Sequence, residues 1–428
     1  MTDSAMAHLL LLLPSMSYRG EAFLEAANKV GVSLTVAGDA PPDFLEQSPN
    51  SFLTLDLYSP STAVPAVVEF AKTSLIDVVL GVNDQTAVLA STISVALGLA
   101  ANSIDSVRAA SNKQTMRKLL QKEGLPCPNF VVVGFDEKSA DIVPQVTFPC
   151  VLKPLTLSGS CGVIRADDQE SFQEAFIRIG HLLQTFARPE HDVAGCQILI
   201  EDFIPGIEVA LEGLLTKNML HPLALFDKPD PLDGPYFEET IYVTPSRLPS
   251  DTQTRIAESL AKAAHAIGLR EGPVHGELRI NDQGIWVIEV AARSIGGKCS
   301  RILEFGTGRS LEELILLHAL GRELPSLDLT KNAGGVMMIP IPQEGILERI
   351  EGQDEAQHVP GIEELVMTAK PGDRLIPLPE GKRYLGFILA KGARPEEVEE
   401  TLREAHRRLN VVMKPMTSSV TRPGIFRV

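Results

Sequence analysis

The sequence predicts a multidomain protein of mixed α/β and α+β class. Three observations carry this: the length, an opening strand, helix, strand pattern, and a later series of short Val- and Ile-rich runs broken by Gly and Pro. At 428 residues the chain exceeds the size at which one hydrophobic core stops growing, so two or three cooperating domains are expected. The composition, 44% hydrophobic and 22% charged, is that of an ordinary folded protein rather than a disordered or fibrous one.

The opening order HLLLLL, PSMSYRG, EAFLEAANKVG and VSLTVAGD reads as strand, loop, helix and strand, a parallel unit. The run IDVVLGVND and the small-residue helix QTAVLASTISVALGL extend it into an open parallel sheet over residues 1–105, with ligands expected at the carboxyl ends of its strands. One helix is predicted over SVRAASNKQTMRKLLQKEGLPCP, carrying Lys113 and stopped by Gly124 and Pro126. The runs NFVVVGF, FPCVLKP, GVIRADD, QILIEDFI and IEVALEGLLT then alternate with turns, as in an antiparallel sheet built from hairpins. QTFARPEHDVAGC is polar and aperiodic, and reads as a mobile connector. VHGELRI and GIWVIEV flank the turn NDQG and form a hairpin. After about residue 325, strands and the amphipathic helix RPEEVEETLREAHRRLN predict a C-terminal α+β domain over 326–428.

Charge and cysteine usage narrow the function. A net charge of -16 with no basic run argues against a nucleic-acid partner. A polyanionic substrate would have to be met locally by a few placed cations. The apolar run Leu9–Leu13 is too short to span a bilayer, has no basic residues before it and ends at Pro14, so it reads as a buried strand with no membrane role. Cys127, Cys150, Cys161, Cys196 and Cys299 lack paired or zinc-like spacing, which fits a reducing cytoplasm.

Three clusters offer chemistry. In VHGELRINDQGIWVIEV, Glu277 and Glu289 lie on opposite arms of the hairpin, where pairing would set them side by side. Two neighbouring carboxylates suit a hard cation that completes its shell with phosphate and water. The alternative is a pair of solvent-facing strand residues, against which Glu289 ends the apolar run WVIEV. Arg293 and Gly296-Gly297 follow, supplying a cation and close-approach backbone for an anion, or else a plain surface loop. In VLKPLTLSGSCGV, Lys153 precedes a small-residue loop of Ser158, Gly159, Ser160 and Gly162, which reads as a phosphate-covering flap or a simple hairpin turn. In LIEDFIPGIEVALEG, backbone beside Glu201 could meet a base edge and Glu208 could hold ribose hydroxyls, or the segment is an acidic hinge. His275, two residues before Glu277, either touches substrate and assists proton loss from an amine or is structural. The segment DKPDPLDGPYFEETIYV, with Lys228, Tyr236 and Glu239, is expected to cross the acceptor side of the cleft.

Taken in order, NKQTMRKLL, FPCVLKP, SGSCG, LIEDFIPGIEV, VHGEL, VIEVAAR and GG resemble the ATP-grasp superfamily of carboxylate-amine ligases, nearest to its dipeptide-forming L-amino-acid ligase branch. The resemblance covers roughly residues 105–320 and implies an ATP-grasp domain over 106–325, with a lid at about 113–200 and a nucleotide and metal half at about 201–325. It implies that Lys113 and Lys153 bind phosphate, that Glu201, Phe203 and Ile204 form the adenine hinge, and that Glu208 binds ribose. By the same resemblance Glu277 and Glu289 hold Mg2+, with Mn2+ as an alternative. Arg293 would steady the transferred phosphate or the substrate carboxylate, and Gly296-Gly297 would lie on the substrate side. ATP and small carboxylate and amine molecules are the implied ligands, and a homodimer is the candidate assembly. Many members carry Asn two residues after the second metal glutamate, whereas this chain has Ala291. A water is expected to replace that ligand, weakening a second metal position. A carboxylase or purine-pathway relative is the alternative enzyme, although no A-M-K-M biotin-attachment motif occurs. A non-catalytic ATP-binding regulator is the alternative of another class.

Overall fold

The computed structural model describes residues 6–15, 17–45, 52–186, 194–330 and 332–415. Its first part is a parallel sheet of β1 (His8–Leu12), β2 (Ser33–Gly38), β3 (Phe52–Thr54) and β4 (Val78–Gly81), in the order β3-β2-β1-β4. Leu9 and Leu11 enter one core and Leu10 and Leu12 another, because a central parallel strand is covered on both faces. Helices α1 (Gly20–Val30), α2 (Pro60–Ala71) and α3 (Asp84–Ala96) connect and cover these strands. A reciprocal Asn83 and Thr86 cap opens α3, fixing Asp84 at the carboxyl end of β4.

The single helix expected next is two, α4 (Ile104–Ala110) and α5 (Lys113–Lys122). Asn112 breaks them, since its side chain caps α5 by accepting from the Thr115 amide at 2.9 Å. The expected stop holds, with Gly124 at φ +67.

Strands β5 (Phe130–Gly134), β6 (Cys150–Pro154), β7 (Ile164–Ala166) and β8 (Gln197–Asp202) form an antiparallel sheet in the order β5-β8-β6-β7. The short α6 (Ser139–Ile142) and the long α7 (Gln169–Phe186) accompany it. Phe172, Ala175, Phe176, Ile179 and Leu183 of α7 recur at helical spacing and share the sheet's core. The central part of the expected connector, 187–193, lies outside the described residues.

The largest element is an eight-stranded sheet. It contains β9 (Ile207–Thr216), β10 (Met219–Asp227), β11 (Ile241–Thr244), β12 (Gly272–Asn281) and β13 (Gly284–Ala291), with α8 (Ser250–Ile267) on one face. After α9 (Leu311–Ala319) the sheet continues with β14 (Ala333–Ile339), so hydrogen bonding runs across residue 326. The last region adds β15 (Gly345–Glu351), α10 (Gln353–Gln357), β16 (Ile362–Met367), β17 (Arg374–Leu375), β18 (Gly386–Gly392), α11 (Pro395–Arg408) and β19 (Asn410–Lys414). The large sheet runs β13-β12-β9-β10-β11-β14-β18-β16, and β17-β15-β19 form a separate small sheet.

Two straps clasp the four-stranded sheet. Arg165 donates from its backbone to Pro235 O and from its side chain to Asp233 O. Pro379 O accepts from the Gly162 amide at 2.8 Å, and Glu380 forks onto Arg178, which also bonds Tyr236. No described helix is long and apolar enough to cross a membrane, and all five cysteines are free thiols.

Candidate active site

Strand alternation makes the site. On β9 and β12 the apolar residues Val209, Leu211, Val274 and Leu278 pack with Ile256 and Leu260 of α8. The intervening Glu208, Glu212, His275, Glu277 and Arg279 therefore occupy the opposite face. Gly276 is what lets α8 lie this close, because a Cβ there would meet Leu260 at 2.4 Å.

Register completes the array. Glu208 pairs with Arg279 and Glu212 with His275 across β9 and β12, and Glu277 pairs with Glu289 across β12 and β13. A bulge follows at once, since Leu278 pairs with Val287 and Ile288 has no partner. In straight alternation Val287 and Glu289 would share a face. The bulge lets Val287 enter the core beneath α8 while Glu289 turns to the polar face. Arg117 of α5 stabilises it by donating to Ile288 O at 2.8 Å and Val287 O at 3.3 Å.

The Arg117 guanidinium also forks onto Glu201, which ion-pairs with Lys153 at 2.5 Å. Burial pushes the Glu201 carboxyl up, but Arg117 and Lys153 outweigh it and hold it down at about 2. The side chain expected beside the adenine thus ties α5, β6 and β8 together. Phe203 lies between the Arg165 and Arg279 guanidinium groups at 4.2 and 5.2 Å, its amide bonds Pro149 O, and Ile204 O accepts from Arg279. Lys113 donates to Leu157 O at 2.7 Å, anchoring the loop of Ser158, Gly159, Ser160 and Gly162 between β6 and β7.

Sequence reasoning gave no role to the residue at the centre. Lys228 Nζ stands 2.8 Å from Glu208 Oε1, 2.8 Å from Glu239 Oε1 and 3.2 Å from Glu277 Oε1, with its side chain only 3% exposed. Glu208 also accepts from Arg279 Nε at 2.8 Å, so both of its oxygens are engaged. Burial lifts Glu239, Lys228 opposes this, and the nearby Glu277 adds to it, leaving Glu239 at about 7. Glu277 moves the other way, because Lys228 and His275 together outweigh its burial. Glu289 is half-buried and forms no ion pair among the described residues.

His275 has Glu277 3.6 Å from Nε2 and Glu212 3.6 Å from Nδ1. Burial would lower the imidazolium, but the two carboxylates raise it to about 9. At 3.6 Å these are ion pairs rather than hydrogen bonds, and His275 Nδ1 and Glu212 Oε1 are buried without a hydrogen-bond partner. The other Glu212 oxygen accepts from the Ile295 amide at 2.9 Å.

Arg293 does not stand free. It forks onto Asp84 of α3 at 3.0 and 3.1 Å, joining the glycine loop to the first sheet's carboxyl end. Gly297, at φ +61, donates its amide to the Tyr18 hydroxyl at 2.7 Å. Gly296 is also against that hydroxyl, which a Cβ on it would meet at 3.4 Å. Asp84, Arg117, Glu212 and Lys228 lie far in sequence from their partners. Only the unexplained charges of segment 227–243 gave any signal.

Comparisons with known proteins agree with this architecture. The ATP-grasp domain family matches residues 146–302, and the L-amino acid ligase C-terminal domain 2 matches residues 337–414. Alanine–anticapsin ligase of Bacillus subtilis strain 168 is 26% identical over 233 residues, covering 51% of this chain and 49% of that protein. The chain thus spans about half the length of the first curated relatives it matches. An L-arginine-specific L-amino acid ligase of Bacillus subtilis is 20% identical, with 86% of each chain covered. The crystal structure of an L-amino acid ligase from Bacillus licheniformis superposes with a TM-score of 0.84 at 26% identity, covering 96% of this chain and 99% of that one. The chain thus carries a match to the ATP-grasp domain family followed by a match to the L-amino acid ligase C-terminal domain, on an ATP-grasp fold.

Proposed function

We propose that this chain is an ATP-dependent carboxylate-amine ligase acting on amino acids, releasing ADP and phosphate. The observation that carries the reading is the bulged hairpin, which pairs Glu277 with Glu289 across its two strands. We also read the chain as an N-terminal domain (1–105), an ATP-grasp domain (106–325) and a C-terminal domain (326–428). Its five free thiols fit a reducing cytoplasm.

An all-oxygen donor pair with one member free of ion pairs fits magnesium, which takes one or two carboxylates from a protein. When bound, the ion would neutralise phosphate charge. In this reading Glu277 and Glu289 hold it, with water in place of a ligand at Ala291. Lys113 and Lys153 approach the phosphates from the lid side, while the 201–208 segment lines the nucleoside. The substrate carboxylate oxygen attacks the terminal phosphorus, ADP leaves, and an acyl phosphate forms. The amine nitrogen then attacks the acyl carbon, the C–O bond to phosphate breaks, and the amine proton passes to solvent. Positioning and charge dominate such a transfer.

In this reading His275, held between Glu212 and Glu277, orients the carboxylate on the metal side. Arg293 is aimed by Asp84 and supplies the charge next to the Gly296-Gly297 amides. The test is a phosphate-release screen over amino-acid pairs, with mass spectrometry of the condensation product. Glu289→Ala is expected to abolish ADP release, and wild-type turnover in that variant would overturn the assignment.

A further inference from the structure

We propose that the Lys228 ammonium holds the place of a divalent cation among Glu208, Glu239 and Glu277, so that this trio takes no metal while the lysine is present. The inference deepens the ligase reading and rests on it for the metal at Glu277 and Glu289. The occupancy of the trio itself stands on distances alone.

One oxygen from each of the three carboxylates lies within 4.8 Å of the other two. Such a trio would suit a hard cation if its centre were open. Lys228 Nζ fills that centre, and an ammonium has three N–H donors to give. It meets three carboxylate oxygens at 2.8, 2.8 and 3.2 Å. The fourth side is the Tyr242 ring, whose centroid lies 4.9 Å from Nζ. Two of these contacts are hydrogen bonds, to Glu208 and Glu239, and the third is an ion pair with Glu277, so carboxylates enclose the ammonium on three sides.

The carboxylates are also held at ammonium spacing. Oxygens around magnesium sit at about 2.0–2.1 Å from the ion, well inside the distances seen here. Contraction is resisted at Glu208, whose second oxygen is bonded to Arg279 Nε at 2.8 Å. Glu277 alone belongs both to this trio and to the cross-strand pair with Glu289. On the other side of that pair, Ala291 offers no side-chain oxygen. The fixed cation and the absent ligand act in the same direction, toward metal binding at the Glu277–Glu289 pair alone.

The experiment is Mn2+ titration of the purified full chain, reading free Mn2+ by electron paramagnetic resonance, with and without a β,γ-imido ATP analogue. Without nucleotide, Lys228→Met should bind one more Mn2+ per chain than wild type, and adding Glu239→Gln should remove the gained site. Lys228→Arg, which keeps a cation, should gain none. A folded Lys228→Met protein with wild-type stoichiometry would overturn the proposal. If Lys228→Met does not fold, Glu239→Gln in the otherwise wild-type chain decides: unchanged Mn2+ binding supports the proposal, and loss of a site overturns it. Glu289→Gln reports separately on the ligase reading. If it leaves nucleotide-dependent Mn2+ binding untouched, that reading fails while the result for the trio stands.

Discussion

Two buried charge clusters carry opposite surpluses. Around Glu201, two cations share one carboxylate, and both of its oxygens are taken by Arg117 and Lys153. Around Lys228, the four carboxyl groups of Glu208, Glu212, Glu239 and Glu277 outnumber Lys228, Arg279 and His275. The first cluster links α5 and the sheet of β5, β6, β7 and β8 to the bulge in β13. The second borders Glu289, which no described cation pairs. A saturated carboxylate is a structural tie, whereas a carboxylate without a described ion-pair partner, as at Glu289, is capacity left for a ligand. Variants at Glu201 should therefore cost stability, and variants at Glu289 should cost activity.

The largest stability loss is expected from Glu201→Leu, which leaves two buried cations without their carboxylate. Urea denaturation should show a loss of about 3–5 kcal/mol. A loss under about 1 kcal/mol would mean that the cluster is not the tie described.

The pH dependence sharpens the same point. Glu201 is held down to about 2 from an ordinary 4.5, so its stabilisation is fully present above pH 4.5 and is lost as pH falls toward 2. The amount at stake is about 3 kcal/mol. Wild-type stability should fall more steeply across that window than that of Glu201→Gln, whose amide does not titrate.

Glu289→Gln should behave in the opposite way. The side chain has no ion pair to lose, so stability should change by no more than about 0.5 kcal/mol. ADP formation should drop at least ~100-fold if the carboxylate contributes to transition-state electrostatics. Matching losses of stability and activity would break the distinction between the two clusters.

The smallest effect is expected at the clasp between Arg178 and Glu380. Arg178 and Glu380 are 42% and 34% exposed, and exposed pairs are worth about 0.2–1 kcal/mol. Arg178→Ala should cost an amount in that range in low salt and less as ionic strength rises.

Much of the fold was legible because local patterns and long-range packing agree. Leu9–Leu13 read as a buried strand, and the two-residue turn at Asp282-Gln283 joined the hairpin that carries both glutamates. The break at Asn112 was present in the sequence as a cap but lay inside a longer apolar periodicity. The site was legible only along the chain. Glu277 and Glu289 are near neighbours through one turn, whereas Arg293 finds Asp84 across 209 residues and Arg117 finds Glu201 across 84. Lys228 begins a Pro-rich segment without periodicity, so nothing local announced that it would be folded into the acid face. Such partners are chosen by sheet register and domain packing, which no short window contains.

The continuity of the large sheet has a consequence for the acid face itself. β11 has only four residues, Ile241–Thr244, and it is joined to β10 by the single register pair Asp227 and Val243. Four pairs join it to β14 on the other side. Glu239 lies two residues before β11, so its position depends on a strand splinted from downstream by the C-terminal region. A chain cut short of Ala333 would leave that strand with a bare backbone edge, open to pairing with another molecule. The region from Ala333 onward, which supplies none of the candidate site residues, thus keeps both a carboxylate in place and a sticky edge covered.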